Sequence, residues 1–118
     1  MNKYSLKKNV VHISVGNEDG NGTTEFQLRE MSASTRDAYL DRLAGRVRIV
    51  NGQASGVAKF EGLQADLICS CLFRGDDTPV ASEEIQKWPA GMVADLFKQA
   101  QDLNGLNKEL EEAGSKNE

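Results

Sequence analysis

Few residues in this chain are of types that do chemistry: one histidine, two cysteines, and a glycine-rich loop carrying acidic side chains. Cys69 and Cys71 stand two positions apart. On a continuous helix such a pair points about 200° apart, so it cannot chelate one zinc ion. Their plain reading is as small apolar core residues. His12 has no serine or cysteine nucleophile motif beside it, and Gly52-Gln53-Ala54-Ser55-Gly56 is one residue out of register for a G-x-S-x-G elbow. The loop Asn17-Glu18-Asp19-Gly20-Asn21-Gly22 opens like a calcium loop, whose ligands fall at alternate positions with glycine sixth. Counted from Asn17, the twelfth position is Leu28, where a bidentate glutamate is needed. A solvated hairpin tip fits better. Gly20-Asn21-Gly22 leads into a strand and offers no helix N-terminus to a pyrophosphate, and Gly114-Ser115-Lys116 lacks P-loop spacing. These readings assign no catalytic residue, no metal site and no cofactor, and the expectation is a protein that is not an enzyme.

Binding is the alternative, and two groups of residues are candidates for it. Arg36, Arg42, Arg46 and Arg48 lend one segment a basic character, with Asp37 and Asp41 interleaved. A solvated face with local ion pairs is the plain reading, and contact with an acidic partner is the functional one. A helix-turn-helix reading fails on charge, because the next segment sets Glu61 and Asp66 against Lys59. Trp88, the single tryptophan, precedes Pro89 and reads as a core anchor between the last two helices or as an interface anchor. Met92, Leu96, Phe97 and Leu103 lie on a stripe that serves the core first and a partner groove second. The partner-binding candidates are Arg36, Arg42, Arg46, Trp88, Met92, Leu96, Phe97 and Leu103.

The elements that must position these residues follow from periodicity. Val11, Ile13 and Val15 alternate with Val10, His12 and Ser14, and Thr24, Phe26 and Leu28 alternate with Glu25, Gln27 and Arg29. The glycine- and asparagine-rich segment between them makes a hairpin. Two strands are marginal alone in water, so the hairpin's apolar face must pack on something else. The period then changes. Ser34 is an N-cap candidate for a helix carrying Leu40, Leu43, Val47 and Val50, with Asn51-Gly52 as its stop. A second helical stripe collects Val57, Phe60, Leu63, Leu67, Cys71 and Leu72. Ser82 caps a short helix running to Trp88, and the last helix carries the stripe from Met92 to Leu103, ended by Asn104-Gly105. The expected fold class is α+β, mainly α: an N-terminal β-hairpin followed by about four helices. Residues 1–106 form one domain, and residues 107–118 form a charged tail expected to be frayed or disordered.

Composition bounds these readings. With 118 residues, of which 39% are hydrophobic, the chain suits one domain with a lean core. Fourteen basic and 18 acidic side chains give a net charge of −4. Residues 1–50 carry 8 basic and 6 acidic groups, and residues 51–118 carry 6 and 12. That balance argues against a protein whose affinity comes from neutralising phosphates. No apolar run approaches the roughly 20 residues that cross a bilayer, and two cysteines make no disulfide framework. A cytosolic protein is expected, with neither nucleic acid nor membrane as its partner.

Several segments resemble one family. Phe26-Gln27-Leu28-Arg29-Glu30 and Ser34 to Leu43 (STRDAYLDRL) resemble the start of the short tail assembly chaperones of long-tailed bacteriophages. Ala65 to Phe73 (ADLICSCLF) resembles that family's helix before a Gly/Asp turn. Pro79-Val80 through Trp88-Pro89-Ala90 resembles its short acidic helix followed by x-P-A. Met92 to Leu106 (MVADLFKQAQDLNGL) is similar to an L-F-x-x-A-x-x-L-N-G-L stretch found before a charged tail. The resemblance implies a non-catalytic protein of the infected host's cytoplasm. Such a protein coats the long tape measure protein, recruits major tail protein subunits and leaves the finished tail. Self-association is implied as well. Two rivals stand beside this reading: a small nucleic-acid-binding phage regulator, motivated by the arginines of residues 36–48, and a structural tail or connector protein retained in the virion.

Overall fold

A computed structural model of the chain describes residues 3–57 and 60–106. The charged tail, residues 107–118, lies outside the described residues.

The expected hairpin forms from Val10–Gly16 (β1) and Thr23–Arg29 (β2), paired antiparallel with Val11 opposite Leu28 and Ile13 opposite Phe26. Its tip closes on itself. Asn17 N–H donates to Gly22 O at 3.1 Å, Asn17 Nδ2 donates to Asn21 O at 2.9 Å, and Thr24 Oγ1 donates to Asn17 Oδ1 at 2.7 Å. The side-chain oxygens that suggested a calcium loop therefore include one that closes the turn. His12 lies on the solvent face of β1, opposite Gln27.

The first helix is shorter than its periodicity suggests. It spans Ala33–Ala44 (α1) and is capped by Ser32, not Ser34: the Ser32 hydroxyl accepts from Thr35 N–H at 3.3 Å. Val47 and Val50, expected on its stripe, belong instead to a second hairpin of Val47–Val50 (β3) and Gln53–Val57 (β4). Asn51-Gly52 is the turn of that hairpin and not a helix stop. Both residues have positive φ, 53° and 79°, as a two-residue turn matched to the twist of the strands requires. The register shifts between Val47 and Ile49, and Gly56, at φ 81°, supplies the conformation an extra residue in β4 needs.

The second helix is also cut short, to Leu63–Cys69 (α2). Phe60 precedes it, outside the helix. Leu72 lies beyond it in a third strand, Leu72–Arg74 (β5), which pairs antiparallel with β2 through Phe26–Arg74, Gln27–Phe73 and Leu28–Leu72. The sheet order is β1-β2-β5, so the unpaired edge of β2 that local patterning left open is covered by a strand more than 40 positions away. Ser82–Ile85 (α3) is a single turn, preceded by Ala81 at the N-cap position where Ser82 was expected. Pro89 starts Ala90–Leu103 (α4), and Asn104-Gly105 ends it as expected, with Gly105 at φ 68°. The class is α+β, with five strands beside four helices among the described residues and therefore more strand than a lone hairpin supplies.

The core is centred on α2, which packs against α1, α3 and α4. Leu28 and Leu72 from the sheet, Leu67 and Ile68 from α2, and Val80 and Ile85 around α3 are fully buried. Cys71, just past the end of α2, is fully buried with them, and its thiol donates to Leu67 O at 3.5 Å. Burial pushes that thiol up from 9.0 to about 12. Asn104, the one buried polar residue among the described residues, accepts from Met31 N–H at 2.7 Å and donates through Nδ2 to Ala100 O at 2.8 Å. It ties the end of α4 to the link between β2 and α1.

Candidate interaction site around Trp88

Trp88 occupies the break between α3 and α4 because Pro89 disfavours helical backbone at the residue before it. Its indole is half-buried and meets the Phe26 ring edge-on, with centroids 5.5 Å apart and planes at 64°. On one side of Trp88 lies a cleft of about 520 Å³, walled by Phe26, Trp88, Pro89 and Met92. Glu18 and Thr24 close it at the hairpin, and Lys87 stands at its rim. Arg74, placed by β5 beside Phe26, reaches over that ring at 5.6 Å and pairs with Glu84 at 2.5 Å. On the other side of Trp88 lies a groove of about 560 Å³, lined by Leu63, Ile85, Ala90 and Val93. Phe60 also borders this groove and is 72% exposed. Trp88 is thus a shared aromatic wall between two apolar-floored concavities, with charged side chains at their margins.

The other candidates fall in different places. Met92 joins Trp88 in the first cleft, while Leu96 is 3% exposed and belongs to the core, where no partner can reach it. Phe97 and Leu103 are half-buried and pack against the core from the same helix. Arg36 is half-buried on α1. Arg42 reaches across to α2: its Nε donates to both Asp66 carboxylate oxygens, at 2.9 and 3.1 Å, and its Nη2 donates to Ser70 Oγ at 3.1 Å. This ion pair raises the Arg42 pKa, and Asp66's charge adds to the burial that raises the Tyr39 hydroxyl. Arg46 donates to Glu61 O at 3.0 Å. Arg42 therefore ties α1 to α2 by an ion pair between helices instead of along one, and Arg46, just past α1, bonds to the main chain before α2.

The residues that complete the cleft, Phe26, Arg74 and Lys87, are not among the sequence candidates. Only Phe26 carried a signal, as an apolar strand residue on the hairpin face; Arg74 reaches the cleft through a strand pairing that local patterning does not show. Among the described residues, no group of three or more His, Cys, Asp or Glu side chains is placed to hold a metal ion, and no helix is long and apolar enough to cross a membrane.

No family profile matches the chain, and no curated protein does. Among solved structures, the chain is similar to the tail assembly chaperone of bacteriophage HK97, at 20% identity over 80% of this chain and 85% of that one, with a TM-score of 0.48.

Proposed function

We propose that this chain is a non-catalytic tail assembly chaperone acting in the host cytoplasm, where it binds the tape measure protein and recruits major tail protein subunits. The observation that carries the reading is Trp88, held half-buried against Phe26 between two apolar-floored concavities. Aromatic side chains set between pockets are the usual anchors of protein recognition. Grooves of this kind take the apolar stripe of an amphipathic helix, and a charged margin keeps the uncoated parts of a complex soluble. The sequence resemblance, which covers most of the chain from Phe26 to the C-terminus, implies the client. Apolar or helical stretches along a long client would be shielded in this way, and many small copies would cover them.

Two of the four arginines that motivated the nucleic-acid reading are engaged within the fold. Arg42 is engaged by Asp66 and Ser70, and Arg46 by a main-chain carbonyl, so these two guanidinium groups serve the α1–α2 junction.

Co-expression with the tape measure protein, followed by pull-down, tests the proposal. A soluble complex that is lost in Trp88→Ala and Met92→Ala, with Asp37→Ala on the exposed side of α1 as an outlying control, is the expected result. A tape measure protein that is equally soluble without this chain, and forms no complex with it, would sink the proposal.

A further inference from the structure

The tip of the first hairpin is more than a solvated turn, because Val15, Asn17, Glu18 and Thr24 wall the Trp88 cleft on the side away from α4. The tip is held by its own bonds. Gly20 N–H donates to Asn17 O at 3.0 Å, so Glu18 and Asp19 take the two central positions of a turn. Asp19 Oδ1 accepts from Asn21 N–H at 2.8 Å, and the Asn17 amide bonds to Asn21 O and to the Thr24 hydroxyl. The side chains of Asn17 and Asp19 thus close the tip. Glu18 takes no part in this: its carboxylate has no hydrogen-bond or ion partner among the described residues, and it borders the cleft.

Among the described residues, the charged side chains of this cleft are Glu18, Arg74, Glu84 and Lys87. Arg74 and Glu84 satisfy each other. That leaves Glu18 on the hairpin and Lys87 just past α3, both exposed and neither paired. An apolar group seated on Phe26, Trp88 and Met92 would take water from both charges, and an opposite charge on the incoming segment would replace it. A like charge at either place would be repelled. The cleft therefore has a polarity, negative at the hairpin tip and positive at the end of α3. The groove on the other side of Trp88 has Glu61 as its one charged side chain among the described residues, and so has no such polarity.

We infer that the client segment seated in this cleft carries charges in a fixed order about its apolar anchor. A lysine or arginine stands on the side of the hairpin tip and pairs with Glu18; an aspartate or glutamate stands on the opposite side and pairs with Lys87. The client is that of the chaperone reading, on which this rests; the charges add which of its apolar stretches are taken and which way round they lie. A stretch with the same apolar residues and the reverse order of charge is rejected. Both contacts sit at an exposed rim, so each changes affinity modestly, acts largely on the association rate and fades in salt.

Biolayer interferometry at low salt, with fragments that together span the tape measure protein, tests the inference on the full chain and its Glu18→Lys, Lys87→Glu and doubly exchanged variants. Both side chains are exposed and unbonded, so far-UV circular dichroism is expected to stay unchanged. For the fragment that the native chain binds, each single reversal is expected to raise Kd about three- to tenfold, and the double exchange more than either. Added salt should narrow these gaps. Attraction between net charges alone predicts otherwise: E18K makes the chain's charge of −4 less negative and K87E makes it more negative, so the two would shift binding in opposite directions. Mutual attraction of Glu18 and Lys87 across the cleft would let the double exchange restore native binding. Should a reversal unfold the chain, Glu18→Gln and Lys87→Met replace it, each expected to raise Kd about two- to fivefold. Opposite shifts, a shift confined to one position, a restored double variant or unchanged Kd values would overturn the inference and leave the chaperone reading standing. A native chain that binds none of the fragments would overturn both.

Discussion

Replacing Asn104 by alanine isolates one contact that fixes the end of α4. Asn104 is 8% exposed and joins two segments 73 positions apart in sequence. Its Nδ2 bond to Ala100 O is the lesser loss, because that carbonyl also accepts from Asn104 N–H at 3.2 Å. The Oδ1 bond is different: Met31 N–H has this oxygen as its acceptor at 2.7 Å, and alanine offers none. An unsatisfied, largely desolvated donor costs about 1–3 kcal/mol, and the half-burial of Met31 puts the expected loss near the middle, about 2 kcal/mol. For a domain of this size, that corresponds to a fall of roughly 10 °C in Tm. Urea unfolding monitored by circular dichroism gives the stability, and amide exchange by NMR gives the local effect. Exchange at Met31 is expected to speed up beyond the change at core amides such as Leu67. A variant within about 0.5 kcal/mol of the native chain, the range of an ordinary surface substitution, would refute the reasoning, as would Met31 protection equal to the native chain's.

Two further outcomes follow from the same structure. Arg42 is 47% exposed and its partner Asp66 is 16% exposed, so solvent screens much of their attraction; a double-mutant cycle with Arg42→Ala and Asp66→Ala should give a coupling of about 0.5–1 kcal/mol that shrinks in added salt. The Cys71 thiol is raised from 9.0 to about 12 by burial, so the unfolded chain loses its proton first as pH rises. Its contribution is whole below pH 9.0 and declines toward about 12, at up to about 1.4 kcal/mol per pH unit. Cys71→Ala should be less stable at neutral pH and should lose stability less steeply over that alkaline range. The same dependence in both proteins would show that Cys71 does not carry the effect.

What was legible in the sequence was what depends on neighbours along the chain. The first hairpin is written in alternation on both sides of a segment that tolerates positive φ, and α4 in a strong apolar stripe ended by Asn104-Gly105. Asn51-Gly52 was legible too, but in two ways. Asparagine-glycine ends a helix or turns a hairpin, and the three- and four-residue spacing of Leu40, Leu43, Val47 and Val50 favoured the first. The three β-branched residues of Val47-Arg48-Ile49-Val50, next to a pair with positive φ at both positions, decide for the second. Leu72 could not be placed from local pattern, because its strand exists only through pairing with Leu28. Trp88 was marked by its type and by Pro89, but its setting comes from β2 and β5, which bring Phe26 and Arg74 to it across long stretches of chain. Leu96 shows the opposite case: its stripe was read correctly, and the core uses it wholly.

Trp88 is the chain's one tryptophan, so its emission reports the proposed client site without a label. Titration with a tryptophan-free tape measure fragment, followed by fluorescence, tests the central claim most directly. If the client seats in the clefts beside Trp88, the half-exposed indole loses water, and a saturable blue shift should appear in step with complex formation and vanish with Met92→Ala as binding is lost. A complex that forms at full stoichiometry while the Trp88 emission stays unchanged would contradict the account.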